Sequence, residues 1–289
     1  MRNLIINSSN YVAGSNNKYV YNLPSSWKSE DGDQIGVSSV SLYNSTFNIT
    51  SQRGNNQITF IFLGTNYTFT FPNGYYSASD MNYFLQQQCI LNNLYLTANA
   101  ASTNIYFIEI TTNSVQYSIS FNFYPIPTSA QATTLGYTKP SGATWNFPAT
   151  SACPQAIINS AFGSLIGLNA GTYPPTTSQT TAIQYLSTMS PNISPVDSYI
   201  ITCSMINSPY SIPNNSLYSI PLNASLGRLV TSSPSQIVFN DIAPNIYNQI
   251  TFQFYDQLFN PLYLNDYDLV LTIVILEAKE RKMFLNNNN

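Results

Sequence analysis

The carboxylates are the side chains of this sequence best suited to chemistry. Glutamate occurs at four positions, Glu30, Glu109, Glu277 and Glu280. Glu109 lies within NIYFIEI (104–110), a segment whose alternation is typical of a strand. A glycosidase needs two carboxyl groups facing one bond, and no second acid is close to Glu109 in the sequence. We therefore expect Glu109 to be a partly exposed strand residue with a hydrogen-bond partner, and a glycosidase that uses it remains a minor alternative.

Two acidic clusters raise the question of calcium binding. The stretches SEDGDQ (29–34) and NDYD (265–268) bring several carboxylates together, and calcium prefers oxygen ligands. Neither stretch follows the twelve-residue pattern of a calcium-binding loop. Solvated turns are the favoured interpretation, so we expect no metal ligands.

Other kinds of active site are excluded by what the sequence lacks. Histidine is absent, which rules out Ser-His-Asp and Cys-His systems within this chain. FGSLIG (162–167) departs from the Gly-x-Ser-x-Gly motif, and there is no P-loop or Gly-x-Gly-x-x-Gly. The cysteines, Cys89, Cys153 and Cys203, are sparse and odd in number, which favours free thiols in a reducing compartment. We expect no catalytic or cofactor-binding residues, no cofactor and no enzyme activity.

Charge is scarce throughout the sequence. Charged residues make up 7% of the chain, where an average soluble domain has about 25%, and the net charge is −3. Protein interfaces are depleted of Lys and Glu and enriched in tyrosine, of which this chain has 22. This composition favours a surface that associates, and a secreted β protein with a polar, uncharged surface is the alternative. The segment EAKERK (277–282) is basic but offset by two glutamates, so no specific nucleic-acid partner is expected.

No targeting or membrane-spanning segment is expected. The N-terminal MRNLIINSSN contains an apolar run of only three residues, which is too short for a secretory signal. No stretch approaches the roughly 18–20 apolar residues of a membrane span.

Alternation of apolar and polar residues predicts many short strands. The expected strands cover 19–23, 34–43, 57–63, 66–71, 104–110, 115–123, 198–205, 216–222, 236–240, 249–256 and 268–276. Gly64-Thr65 is expected to form a type II′ turn between 57–63 and 66–71. The last strand is apolar on both faces, which indicates a central strand covered on both sides.

One helix is expected, immediately after the strand that ends at Pro72. Ser77 and Asp80 have the spacing of a capping box, and Met81, Leu85 and Cys89 follow with helical periodicity. With its flanking strands, this helix gives 57–123 a ββαββ pattern that suggests a self-contained unit. The Pro-, Gly-, Ser- and Thr-rich region 125–195 that follows shows no clear strand pattern.

These elements predict an all-β fold. The expected architecture is a single jelly roll, an antiparallel β-sandwich, with a large inserted β-rich domain containing one short helix. Residues 1–52 and 193–289 are assigned to the jelly roll and 53–192 to the insertion. A single barrel with long loops is the alternative.

Several stretches resemble one protein family. In chain order they are SSNY, YVYNLP, SLYNSTFNIT, FTFPNGYYSASDMNYFL, LGYTKP and ITFQFYDQLFNPLYLNDYDLVLTI. Together they resemble the minor capsid, or penton, proteins of virophages and Polinton-like viruses. The most specific parts are the Pro72-x-Gly74-Tyr75-Tyr76 turn, the Leu135-Gly136-Tyr137 element, and a closing hairpin with Asp256 before its turn and Asp268 at the start of the last strand.

The resemblance implies a structural protein of the virion. It implies homopentamers at the fivefold vertices of an icosahedral capsid, with the major capsid protein of the same virus as the neighbouring partner and assembly inside the host cell. It implies no catalytic residues. The alternative function is a carbohydrate-binding or host-attachment module of β-sandwich type, suggested by the Tyr and Asn content; a receptor or glycan would then be a further partner.

Overall fold

The chain forms two units, each with its own hydrophobic core. The computed structural model describes residues 1–279. The first unit, here called the sandwich unit, comprises 1–46 and the chain from Val196, and the second, the inserted unit, is Phe47–Pro195. The boundaries thus lie a few residues outside the 53–192 expected from the sequence. The Asn48 side chain is one reason, because its amide group donates to the carbonyl oxygens of Tyr76 and Ile193, at 2.8 and 2.9 Å.

Strands are the main regular structure of the described residues. In chain order they are β1 (Arg2–Asn7), β2 (Lys18–Lys28), β3 (Gln34–Tyr43), β4 (Gln57–Phe62), β5 (Thr65–Thr70), β6 (Leu96–Ala98), β7 (Thr103–Ile105), β8 (Ile108–Asn113), β9 (Ser118–Phe123), β10 (Tyr137–Thr138), β11 (Gln155–Ile158), β12 (Gly171–Tyr173), β13 (Ile183–Leu186), β14 (Ser198–Cys203), β15 (Ser216–Pro221), β16 (Leu229–Ser232), β17 (Asn240–Asp241), β18 (Ile246–Tyr255) and β19 (Leu269–Leu276). The helices are α1 (Ala78–Leu91), α2 (Ser129–Leu135) and α3 (Ser160–Ile166).

The strand order of the sandwich unit is that of a jelly roll. One sheet, sheet I, has the order β1-β19-β3-β16, with the short β17 also paired to β3; the other, sheet II, has the order β15-β14-β18-β2. Leaving out β17, eight strands remain, and they pair as a nested hairpin: first with last, second with seventh, third with sixth and fourth with fifth. All of these pairs are antiparallel. This nested pairing divided between two sheets is the jelly roll that the sequence predicted, which confirms the fold class.

The two sheets of the sandwich unit share one core. Strand alternation turns Leu4, Ile6 and Leu271 of sheet I inwards, where they join Ile201 and Phe252 of sheet II in the same buried cluster. Burial of apolar area is the main source of stability here, at about 25 cal/mol per Å² removed from water. The predicted central position of β19 is confirmed, because it pairs with β1 on one side and β3 on the other.

Three antiparallel sheets build the inserted unit. Their orders are β12-β11-β4-β5, β13-β9-β8 and β10-β6-β7. Strands β10, β11, β12 and β13 all come from the region 125–195, so the ββαββ segment is not self-contained and this region contributes to all three sheets. The expected strand 104–110 is also wrong in part: it breaks at Tyr106-Phe107, and its halves β7 and β8 belong to different sheets.

Two strands of the sandwich unit are missing from the sequence-based expectation. β1 and β16 are short, and each directs few apolar side chains inwards, Leu4 and Ile6 in β1 and Val230 in β16. The strand expected at 236–240 reduces to the two-residue β17. The expected closing hairpin is wrong as well, because β18 belongs to sheet II and β19 to sheet I, so the chain crosses between sheets after Tyr255.

Helix α1 begins as the sequence predicts. The Ser77 hydroxyl accepts from the Asp80 amide at 3.2 Å, and the Asp80 carboxylate accepts from the Ser77 amide at 2.9 Å. This capping box satisfies two backbone donors that a helix N-terminus otherwise leaves free. Its buried face includes Met81, Leu85 and Cys89. The inserted unit has three helices, however, and the expected single helix is corrected: the Thr128 and Asn159 side chains cap α2 and α3.

The β4–β5 hairpin has a different turn from the expected one. Phe62 pairs with Thr65, so Leu63 and Gly64 are the two central residues, and both have positive φ, 49° and 82°. These angles define a type I′ turn rather than type II′. A glycine at the second central position suits this type, whose twist matches that of the strands.

Two glycines end α2 and α3 and provide a matched test of packing. Gly136 and Gly167 both adopt the left-handed conformation, with φ of 67° and 76°. A Cβ on Gly136 would meet no atom within 4 Å, whereas one on Gly167 would lie 2.3 Å from the Met189 carbonyl oxygen.

We expect Gly167→Ala to lower the free energy of unfolding much more than Gly136→Ala. Both variants incur a left-handed penalty of about 1–2 kcal/mol, but Gly167→Ala must also displace the backbone at Met189, which brings its cost to about 3 kcal/mol or more. Denaturant unfolding of both variants measures the difference. Equal losses would contradict the close approach at Gly167.

Candidate interaction surface

The outward face of sheet I is the strongest candidate for an interaction surface. It is called the open face here. Strand alternation and register place ten side chains on it: Asn3, Ile5 and Asn7 of β1, Val270 and Thr272 of β19, Ser39, Ser41 and Tyr43 of β3, and Leu229 and Thr231 of β16. All ten are uncharged, and three strand pairings link Asn7, Val270, Ser41 and Thr231 in one row across the sheet.

Large apolar side chains are exposed on the open face. The exposed fractions are 59% for Ile5, 47% for Val270, 48% for Leu229 and 41% for Tyr43. A single exposed apolar residue is ordinary, but several on one sheet face indicate a surface that another molecule covers. Small hydroxyl side chains between them leave the face without bulky charged groups.

One end of the same sheet face is already covered by the chain itself. A Cβ on Gly36 of β3 would lie 2.5 Å from Ile237 Cγ2 and 2.9 Å from the Val238 carbonyl oxygen. The segment 237–239 therefore packs closely over this end, and the neighbouring Val274 is 5% exposed. The expectation that β19 is covered on both sides holds at this end only, since Val270 is open to solvent.

Ion pairs of the sandwich unit lie away from the open face. Arg2 contacts Glu277 at 2.5 Å, and Lys279 contacts Glu30 at 2.7 Å. Glu280 and the remaining residues of the segment 277–282 lie outside the described residues. Exposed ion pairs contribute little to stability, because both charges remain well solvated. Neither pair includes any of the ten side chains of the open face.

The tyrosines after Pro72 have structural contacts. The Tyr76 ring packs over Gly74, where a Cβ would lie 2.9 Å from the ring, and its hydroxyl donates to the Pro72 carbonyl oxygen at 3.0 Å. The Tyr75 hydroxyl is 3.0 Å from the Ser194 hydroxyl. The Gly-Tyr-Tyr motif therefore closes the turn between β5 and α1, and a side chain at Gly74 would have to displace the Tyr76 ring.

The structure places Glu109 on β8, directly opposite Asn122 of β9. Its Oε2 atom accepts a hydrogen bond from the Tyr124 hydroxyl at 2.7 Å and a long one from the Asn122 amide at 3.5 Å. The pKa of Tyr124 rises to about 12, because of burial first and the Glu109 carboxylate second. The other acid of the inserted unit, Asp80, is occupied in the capping box of α1, so no pair of carboxylates suited to glycoside hydrolysis forms in this unit.

The acidic clusters have backbone partners. Asp33 is buried and accepts from the amides of Glu30 and Ala278, each at 2.8 Å, and Asp266 accepts from the Asp268 amide at 2.9 Å. Asp256, also buried, accepts from the amides of Leu258 and Asn260. These carboxylates stabilise turns, but Asp33 is buried and is therefore not in the solvated turn that the sequence suggested. Among residues 1–279, no group of three or more His, Cys, Asp or Glu side chains is arranged to hold a metal ion.

Neither comparison by sequence finds a match. No family model matches the chain, and no curated protein matches it. Likewise, no helix within residues 1–279 has both the length and the apolar character needed to cross a bilayer.

Among solved structures, the chain is similar to the mavirus penton protein. This likeness covers 96% of the chain and 98% of the penton protein, with 9% identity and a TM-score of 0.41. A chain in the cryo-EM structure of the Sputnik virophage is similar over 96% and 99%, with 10% identity and a TM-score of 0.38. The jelly-roll assignment rests on the order in which this chain's own strands pair.

The three cysteines provide a test of the described cores. All are free and buried, and burial raises the pKa of Cys89 and Cys203 to about 12 and that of Cys153 to about 11. The thiolate is the reactive form, and raised pKa values keep its population very low at pH 8.

We therefore expect the native protein to release no thionitrobenzoate from a disulfide reagent at pH 8, and all three thiols to react after unfolding in guanidinium. Val115→Cys is the positive control, because Val115 is 94% exposed and its thiol should react at once. Rapid reaction of any thiol in the native wild type would show that the core around it is open.

Proposed function

We propose that the protein is a structural capsid protein, a penton whose homopentamers occupy the fivefold vertices of an icosahedral viral particle. The observation that carries this proposal is the open face: a jelly-roll sheet that exposes Ile5, Val270, Leu229 and Tyr43 among uncharged neighbours. The resemblance of the sequence motifs to virophage penton proteins points to the same role.

A second copy of the chain is the partner that suits the open face. Its side chains carry no charge, so bringing it against an equally uncharged surface desolvates no ion. The whole chain has a net charge of −3, which leaves little repulsion between copies. A head-to-tail contact between different faces closes into a ring when its rotation is a whole fraction of a turn, and a fivefold rotation gives a pentamer.

The proposed role requires no chemistry. Glu109 is held by Tyr124 and Asn122, the cysteines are buried, and Asp33 and Asp256 hold backbone amides. We infer that the protein acts as a passive component of the virion and contacts the major capsid protein there.

A charge placed on the open face tests the proposal. We expect Val270→Lys to weaken self-association roughly 100-fold or more, since an unpaired charge in an interface costs about 3–5 kcal/mol. Val115→Lys is the matched control, because it introduces the same side chain at an exposed turn of the inserted unit. Sedimentation equilibrium gives the association constants, and electron microscopy of the wild type shows the symmetry of the ring.

Two results would contradict the proposal. A wild-type protein that stays monomeric at high concentration and never enters particles would exclude the capsid role. A Val270→Lys variant that associates as tightly as Val115→Lys, with unchanged thermal stability, would show that the open face is not the interface.

Salt provides an independent test, because an uncharged interface has little to screen. We expect the association constant to change less than about threefold between 0.05 and 0.5 M sodium chloride, and to rise in ammonium sulfate, which favours apolar burial. A steep loss of association with sodium chloride would indicate an interface held by ion pairs.

A further inference from the structure

The inserted unit contains a cleft that the capsid role does not explain. It has a volume of about 410 Å³, within the range of about 300–1,000 Å³ found for small-molecule sites. The residues used below lie in five segments of its wall: Gln86 of α1, the stretch Asn104–Tyr106, Glu109 of β8, Tyr124 after β9, and Tyr137 of β10. Three of these side chains are tyrosines, and the cleft is open to solvent on one side.

Polar groups without protein partners line this cleft. Glu109 uses only Oε2 for Tyr124 and Asn122, and its Oε1 atom receives no hydrogen bond from the described residues. The Asn104 amide nitrogen donates to the Tyr106 hydroxyl at 3.2 Å, while its carbonyl oxygen has no partner within 1–279. The Gln86 side chain, half-buried on α1, makes no hydrogen bond in the same range. These three side chains thus present both hydrogen-bond acceptors and a hydrogen-bond donor to a ligand in the cleft.

Glu109 is conspicuous because ionic side chains are so few in this unit. The charged residues of 47–195 are Arg53, Asp80, Glu109 and Lys139. Asp80 caps α1, and Lys139 donates to the Trp145 carbonyl oxygen and lies 5.3 Å from the centre of that tryptophan ring. Glu109 is the one of the four that lines the cleft, and half of its carboxylate is available to a ligand.

We propose that this cleft binds a neutral saccharide. Sugar hydroxyls would donate to the free oxygen of Glu109, a charge-assisted bond of about twice ordinary strength, and would use both the donor and the acceptor of Gln86. The C–H face of a sugar ring packs well on tyrosine, which offers an apolar body with a polar edge. This inference is independent of the capsid proposal.

The lining also disfavours three other classes of small ligand. An anionic ligand meets a carboxylate and no cationic side chain, so sialylated and sulfated sugars are rejected. A simple cation pairs with Glu109 but leaves the Gln86 amide nitrogen unused, and a wholly apolar ligand leaves the Glu109 oxygen desolvated without a partner. A neutral sugar alone among these satisfies every group named.

Saturation-transfer NMR on the purified full chain tests the proposal directly. The probes are lactose, maltose, mannobiose and chitobiose as neutral disaccharides, sialyllactose as an anion, and choline as a cation. We expect saturable binding of at least one neutral disaccharide with a millimolar or lower Kd, and none of sialyllactose. Glu109→Gln and Gln86→Ala should each weaken this binding roughly tenfold, since each removes one or more hydrogen bonds.

Two matched controls separate the site from general effects. Asp31→Asn removes the same negative charge at an exposed residue of the sandwich unit, and Gln87→Ala makes the same substitution at the next residue of α1, outside the cleft wall. Both should bind the sugar as the wild type does, and all four variants should keep the wild-type melting temperature to within a few degrees.

Three outcomes would overturn the proposal. They are no saturable binding of any neutral disaccharide, binding that survives both Glu109→Gln and Gln86→Ala, and displacement of the bound sugar by millimolar choline. Because each is measured on the isolated protein, a failure here leaves the self-association results of the open face unaffected, and the reverse also holds.

Discussion

Antiparallel pairing between strands far apart in the sequence is the constraint on which the rest of the structure depends. β1 pairs with β19 and β2 with β18, and the inner pairs nest within these. Most links between successive strands of the sandwich unit therefore cross from one sheet to the other. A connection that crosses between the sheets joins two strands that are not hydrogen-bonded to each other. Its length therefore does not affect the register of any strand pair. This is why the link between β3 and β14 can hold the whole of Phe47–Pro195 while the eight strands keep their order.

Inside this protein, neutral amide and hydroxyl side chains form the buried hydrogen bonds that charged side chains form in many other proteins. Asn44 is buried, donates to the Ala224 carbonyl oxygen at 2.8 Å and accepts from the Tyr199 hydroxyl at 3.0 Å. Buried Asn55 likewise joins the Thr50 amide to the Asn48 carbonyl oxygen. Such neutral groups satisfy buried backbone without the desolvation cost of a charge. A surface equally poor in ions can then meet another copy at low cost, which links the interior chemistry to the proposed assembly.

The sequence predicts the parts of the fold where a local pattern and tertiary packing agree. The jelly roll, the strand 34–43 and helix α1 with its Ser77–Asp80 cap follow from alternation and capping rules. β1 and β16 escape prediction because so few of their residues face inwards, and the open face, which includes Ile5 and Leu229, therefore escapes prediction too. β11 and β13 escape because proline-, serine- and threonine-rich sequence surrounds them. The cleft could not be predicted from the sequence, because Gln86, Glu109 and Tyr137 come together only through tertiary folding.

The nesting of strands also fixes an order of events during translation. β1 leaves the ribosome long before its partner β19, which is made more than 250 residues later, so the edge of β1 stays unpaired until residues 269–276 emerge. The inserted unit, by contrast, is one continuous stretch that has all its own strand partners as soon as Pro195 is made. Pairing over such separations is slow because loop closure precedes any gain in contacts. Cotranslational folding would thus complete the inserted unit before the sandwich unit. Until β19 is made, the unpaired edge of β1 is where a chaperone or a strand of another chain would bind.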